Sequence, residues 1–170
     1  MTPSYTDDLP SIYLHPGELI ICQEPTRVIT VLGSCVSVTM YNRRLKFGSI
    51  CHGTMPRCKA IQHCTEPCID AFKFMDCAIQ HMLTSFAEFG IRNGDIEVKI
   101  FGGADTLMSK SSNTIGSQNI KVTLDTLSRE KLGVIAADVG DNFGRKLIFF
   151  THTGDVYLKR LNKATYRYRP

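Results

Sequence analysis

The stretch RVITVLGSCVSVTMYNRRLKFGSICH, residues 27–52, carries the strand pattern on which the fold turns. Three runs rich in Val, Ile, Thr and aromatic residues, RVITVL, VSVTMY and KFGSIC, are broken at Gly33-Ser34-Cys35 and at Asn42-Arg43. That is the pattern of short strands joined by turns. The pair Asn42-Arg43 suggests a tight hairpin between the second and third runs. Gly33, Ser34 and Cys35 sit where the flanking residues would suit a continuous buried strand. A glycine there marks a bulge or a close backbone approach, and it stands beside a thiol.

Upstream, SIYLHPGELII from Ser11 is a further strand signal. Downstream the period changes: Phe72, Met75, Ile79, Met82, Phe86 and Phe89 recur at steps of three and four, one face of a helix, with Asp70 as N-cap and Gly90 as its C-terminal stop. IEVKIF from Ile96 reads as a strand running into Gly102-Gly103, followed by the polar loop SKSSNTIGSQN. A second helix fits Ile120 to Leu132 with Gly133 ending it, and VIAADV, KLIFFT and DVYLKRL read as closing strands. The expected class is α/β (α+β), layered β-sheets with two helices and much antiparallel pairing, because the connections among the last three strands are too short for a crossover. Arg57 to Pro67 reads as a loop.

With 170 residues, 43% of them hydrophobic, the chain suits one domain over residues 1–170. The net charge of +4 is spread out apart from a basic end, Lys159 to Arg169, and carries no nucleic-acid motif, so nucleic acid is not an expected partner. No apolar run approaches the roughly 20 residues of a membrane span. MTPSYTDDLP lacks the basic and apolar regions of a signal peptide, and a cytoplasmic protein without membrane insertion is expected. In a reducing cytosol the seven cysteines would be thiols, metal ligands or nucleophiles rather than disulfides.

Cys35 is the first candidate for chemistry. A thiol attacks as thiolate and needs a base or cation beside it, here one of His15, His52, His63, His81 and His152. If KFGSIC pairs with VSVTMY through the turn near Asn42, Cys35 and His52 become neighbours at the same edge of the sheet. His81 falls mid-helix, where a structural role fits, and His152 falls in a polar turn. Backbone N–H groups at Gly33 and Ser34 can point at a developing oxyanion. The plainer alternative makes Cys35 a small buried hydrophobe and His52 a structural histidine.

A second cluster, RCKAIQHCTEPC, holds Cys58, His63, Cys64 and Cys68. Cys-x3-Cys falls within zinc-ligand spacing, but no second clean pair accompanies it, so a metal-free cysteine-rich loop stands beside the metal reading. Gly102-Gly103 matches no phosphate-loop pattern and reads better as a turn that brings backbone close to the active site, or as a tight strand exit.

LGSCVSVTMYN, GSICHGTMP with its histidine seventeen positions after the cysteine, FMDCAIQHML, KIFGGA and TIGSQN together resemble the CheD family, the chemoreceptor glutamine deamidases, over about Ile20 to Leu161. The resemblance implies packed β-layers with helices on one side, similar to the catalytic domain of cytotoxic necrotizing factor toxins. It implies hydrolysis of glutamine side-chain amides on methyl-accepting chemotaxis proteins to glutamate and ammonia, with no cofactor or metal. Carried onto this sequence, Cys35 is the nucleophile and His52 the general base. The family's threonine, six residues before the cysteine, falls at Ile29, with Thr30 one residue later. A shift of one residue turns a side chain to the other face, so either a bulge at Gly33 restores Thr30 or the backbone orients His52. HGTMP, Phe74 and Gln118 depart from the family pattern, and a CheC-type phosphatase is an implied partner. Two rival classes are a non-catalytic chemotaxis adaptor and a metal- or redox-sensing domain using Cys58, Cys64 and Cys68.

Overall fold

The computed structural model describes residues 8–59, 70–105 and 112–162. Its strands are β1 (Ser11–Tyr13), β2 (Leu19–Cys22), β3 (Arg27–Leu32), β4 (Val36–Asn42), β5 (Phe47–Cys51), β6 (Glu97–Gly102), β7 (Val134–Val139), β8 (Gly144–Phe150) and β9 (Val156–Leu161). Among the described residues the α-helices are α1 (Met75–Glu88) and α2 (Ile115–Arg129). One sheet has the order β1-β3-β8-β9 and the other β2-β5-β4-β6-β7, a mixed α/β architecture.

The five-stranded sheet is the middle layer. Every residue of β4 is buried, and the strand's alternation divides the two sides. Val36, Val38 and Met40 join Met75, Ile79, Met82 and Phe86 of α1 and Leu127 of α2 in the main core. Ser37, Thr39 and Tyr41 face the other sheet, where Tyr41 donates its hydroxyl hydrogen to the His152 carbonyl at 2.8 Å. Between the sheets lie two smaller clusters, one of Leu14, Val28, Ile50 and Phe149 and one of Leu32, Phe101 and Leu147.

Several boundaries differ from those expected. SIYLHPGELII is two strands in different sheets: β1 runs parallel to β3, and β2 antiparallel to β5. The break is a turn of the type that Pro followed by a left-handed glycine favours, with Gly17 at φ +82 and the Glu18 N–H donating to the His15 carbonyl at 3.1 Å. The β4–β5 turn runs from Arg43 to Lys46; Asn42 pairs with Phe47 and its Oδ1 accepts from the Leu45 N–H. The first helix starts at Met75, later than the apolar period suggests. The Lys73 carbonyl is taken by the N–H groups of Thr54 and Met55, at 2.8 and 2.9 Å, so only a 3-10 turn at Ala71–Lys73 precedes it. Gly90, at φ +70, stands just past its end.

The second helix begins five residues early because Thr114 caps it, accepting from the Ser117 N–H at 3.2 Å. It ends where Lys131, not Gly133, takes the left-handed conformation, at φ +56. The last three strands do not form one antiparallel set. β7 lies parallel to β6, reached through α2, while β8 and β9 pair antiparallel in the other sheet. Gly140 (φ +78) and Asp141 (φ +57) turn the chain between sheets. There Arg145, fully buried on β8, donates to Asp138 Oδ1 at 2.6 Å and to the Gly140 and Phe143 carbonyls at 2.9 and 3.2 Å. Most of Arg57 to Pro67 and part of the Ser109 loop lie outside the described residues.

Candidate active site

His52 follows β5 directly, and the β4–β5 register continues past it: Val36 and Gly53 exchange backbone bonds of 3.0 and 2.9 Å. Counting outward from that pair, Ser37 stands opposite His52, and Cys35 lies two residues along on the same face. Cys35 and His52 are thus diagonal cross-strand neighbours, a spacing that long or aromatic side chains span. Both face the four-stranded sheet, at the ends of two central strands rather than at a lateral edge of the sheet.

From that opposite sheet comes Thr30. The inner face of β3 carries Val28, Thr30 and Leu32, all fully buried, whereas Ile29 lies on the other face. Thr30 Oγ1 stands 2.8 Å from His52 Nδ1 and 2.8 Å from the Leu14 carbonyl. No bulge is needed to bring it there. The hydroxyl has one hydrogen and the carbonyl can only accept, so Thr30 donates to Leu14 and accepts from the imidazole. This arrangement requires hydrogen on Nδ1 and leaves the Nε2 lone pair available. Nε2 is buried and makes no hydrogen bond, to Cys35 Sγ or to any other described group. The turn after Leu14 closes over the histidine backbone: the Gly17 N–H donates to the His52 carbonyl at 2.8 Å, and the His52 N–H to Glu18 O at 2.9 Å.

Burial governs the protonation states. It lowers the His52 pKa from its ordinary 6.5, outweighing the Leu14 carbonyl and the Glu18 charge, which act the other way, and the His15 charge lowers it further. Cys35 is half-buried, and desolvation raises its thiol above the ordinary 9.0 against the opposing effect of its own backbone N–H. Near neutral pH the pair is therefore a thiol and an uncharged imidazole, not a preformed thiolate–imidazolium.

Gly33 and Ser34 form the half-buried bend between β3 and β4. The bend is held from β6: the Gly103 N–H donates to the Cys35 carbonyl at 2.7 Å and the Ala104 N–H to the Gly33 carbonyl at 2.9 Å. Gly102, at φ +102, has no room for a side chain, because a Cβ there would collide with the Cys35 carbonyl. Gly102-Gly103 is thus the turn that lets backbone pass close to Cys35.

The remaining candidates lie elsewhere. His81 is exposed on α1 against the Phe72 ring, and the His152 carbonyl holds Tyr41. Cys51 is fully buried, its thiol pushed up to about 11 by desolvation. Buried Cys58 donates its N–H to Asp76 Oδ1 at 3.3 Å. Among the described residues no group of three or more His, Cys, Asp or Glu could hold a metal; His63, Cys64 and Cys68 lie outside them. His15, itself a sequence candidate, lies in the turn that closes over the His52 backbone, its carbonyl accepting from the Glu18 N–H; the Leu14 carbonyl and the closing role of that turn were not among the sequence candidates. Their one signal is Pro16-Gly17, which marks a turn but not what it covers.

A family model described as CheD chemotactic sensory transduction matches residues 60–160. A Geobacter sulfurreducens protein named "Probable chemoreceptor glutamine deamidase CheD 2" is 45% identical over 157 residues, 92% of this chain and 93% of its own. A Maridesulfovibrio salexigens protein named "Probable chemoreceptor glutamine deamidase CheD" is 39% identical over 166 residues, 95% of this chain and 98% of its own. An archaeal relative from Methanosarcina acetivorans, named "Probable chemoreceptor glutamine deamidase CheD 1", is 36% identical over 85% of this chain. With such identity sustained over almost its whole length, the chain belongs to the CheD family.

Proposed function

We propose that this protein is a chemoreceptor glutamine deamidase, a protein-glutamine glutaminase that hydrolyses glutamine side-chain amides on methyl-accepting chemotaxis proteins to glutamate, releasing ammonia. The observation that carries the reading is the 2.8 Å contact between Thr30 Oγ1 and His52 Nδ1, which turns the free Nε2 lone pair into a base on the face that holds Cys35. The names of the relatives point to the same substrate class.

The chemistry is a two-step acyl transfer. His52 Nε2 takes the thiol proton as Cys35 Sγ attacks the carboxamide carbon, and backbone N–H groups at the Gly33-Ser34-Cys35 bend stabilise the oxyanion. The same imidazole returns the proton to the departing ammonia, leaving a thioester on Cys35. It then takes a proton from the water that hydrolyses the thioester, giving glutamate and the free thiol. Both reacting groups start neutral, so the proton moves only when substrate is engaged. Thr30 keeps Nδ1 protonated and the ring oriented throughout.

The reading includes finer expectations that rest on the family resemblance: a fold similar to the catalytic domain of cytotoxic necrotizing factor toxins, one domain over residues 1–170, action in the cytoplasm, and a CheC-type phosphatase as a further partner. It is tested by mixing the protein with a glutamine-bearing receptor cytoplasmic fragment and following ammonia and the roughly one-dalton mass gain of an amide-to-acid exchange. Turnover is expected in the wild type and lost in Cys35→Ala and His52→Ala. A folded wild type that turns over no receptor fragment would leave the adaptor reading in its place.

A further inference from the structure

Asn119, in the first turns of α2, is fully buried, and its Nδ2 donates to the carbonyl oxygens of Ser34 at 3.0 Å and Thr54 at 3.2 Å. Its Oδ1 is buried and makes no hydrogen bond among the described residues, so the two donor bonds set the amide's orientation. Both acceptors flank the reacting pair: Ser34 precedes Cys35, and Thr54 follows His52 by two residues.

These carbonyls belong to a ladder that has been opened. Val36 and Gly53 exchange both their backbone bonds, so the next hydrogen-bonded rung of the antiparallel pair would join Ser34 to Met55. That rung is absent, because the Met55 N–H donates to the Lys73 carbonyl at 2.9 Å. A side chain from α2 takes its place and ties the two strand ends together.

The orientation of one peptide follows. In a trans peptide the C=O and N–H point in opposite directions. With the Ser34 carbonyl drawn toward α2, the Cys35 N–H is turned away from it. That N–H has no backbone acceptor among the described residues. When Sγ attacks an amide carbon, the oxygen on that carbon develops its charge within reach of the nucleophile's own N–H, the arrangement serine proteases use.

We propose that Asn119 is a positioning residue of the reaction: it anchors the Ser34–Cys35 peptide so that the Cys35 N–H serves as an oxyanion donor. The inference deepens the deamidase reading and rests on it.

Two thiol reactions separate this role from a purely structural one. Iodoacetamide alkylates Cys35 by displacement at a CH2 group and develops no oxyanion. A peptide aldehyde with CHO in place of the glutamine carboxamide adds the thiol S–H across C=O and places the new oxygen in the oxyanion position. For Asn119→Ala, turnover of the receptor fragment and aldehyde affinity are each expected to fall about 10- to 100-fold, while alkylation, read at the Cys35 peptide by mass spectrometry, stays within about threefold of wild type. Asn119→Ser, whose single hydroxyl serves one carbonyl, gives an intermediate loss and replaces the alanine variant if that one does not fold. Equal aldehyde affinity in wild type and variant overturns the inference whatever the turnover, and so does alkylation that falls in step with it. A wild type that binds the aldehyde more tightly than the variant, yet deamidates no receptor fragment, would sink the receptor substrate and leave the role of Asn119 standing.

Discussion

Thr30 has one hydroxyl hydrogen and gives it to the Leu14 carbonyl, so its oxygen is left to accept the Nδ1–H of His52. Thr30→Val keeps the shape and removes that acceptor. In that variant kcat should fall about 10- to 100-fold with KM little changed, and stability should drop by about 1–3 kcal/mol because buried polar groups lose a partner. Steady-state kinetics and denaturant melts check both. The two pKa directions make a second expectation. kcat/KM should climb with pH through a value below 6.5, as His52 loses its proton, and then hold past pH 9.0, because the raised Cys35 thiol ionises only above it. A resting ion pair would instead depend on an acidic thiol. Cys35 and His52 are legible in the sequence because one hairpin joins them. Thr30 could not be placed that way: its face is decided by pairing with β8, more than a hundred residues downstream.

At the scale of elements, the runs of β-branched and aromatic residues mark the strands well, since strand composition is a local property. Their partners and limits are not local. The first helix is shortened by a carbonyl captured from another segment, and the second is lengthened by a threonine cap that the apolar period does not register. β7 departs from its sequence neighbours because the α2 crossover returns it beside β6. Gly102 shows how such an element reaches the site. Gly102→Ala adds a Cβ against the Cys35 carbonyl at a φ of +102, and should cost more than about 2 kcal/mol while displacing Cys35. Thermal melts and turnover of the same preparation should both fall. An unchanged turnover would mean that β6 does not set the position of the thiol.

For the molecule as a whole, the site is assembled between layers: Cys35 and His52 from the five-stranded sheet, Thr30 from the four-stranded one, and Asn119 from the helices behind. Its protonation is therefore coupled to folding. Because folding lowers the His52 pKa, the unfolded chain binds more protons below about pH 6.5, and stability falls as pH drops from there until the folded histidine also protonates. The raised thiols of Cys35 and Cys51 act oppositely. Their contribution is present below 9.0 and is lost as pH rises, for Cys51 up to about 11. Urea melts across pH should show a plateau between these limits, and His52→Asn should flatten its acid side. The proposed two-step reaction acylates Cys35. Acid quench of the enzyme mixed with a glutamine-bearing receptor peptide, followed by mass analysis of the fragment that carries Cys35, tests this directly. A thioester adduct on Cys35 with the mass of the peptide less one ammonia is expected; glutamate formed with no such adduct at any quench time, or an adduct on another cysteine, would overturn the thioester mechanism.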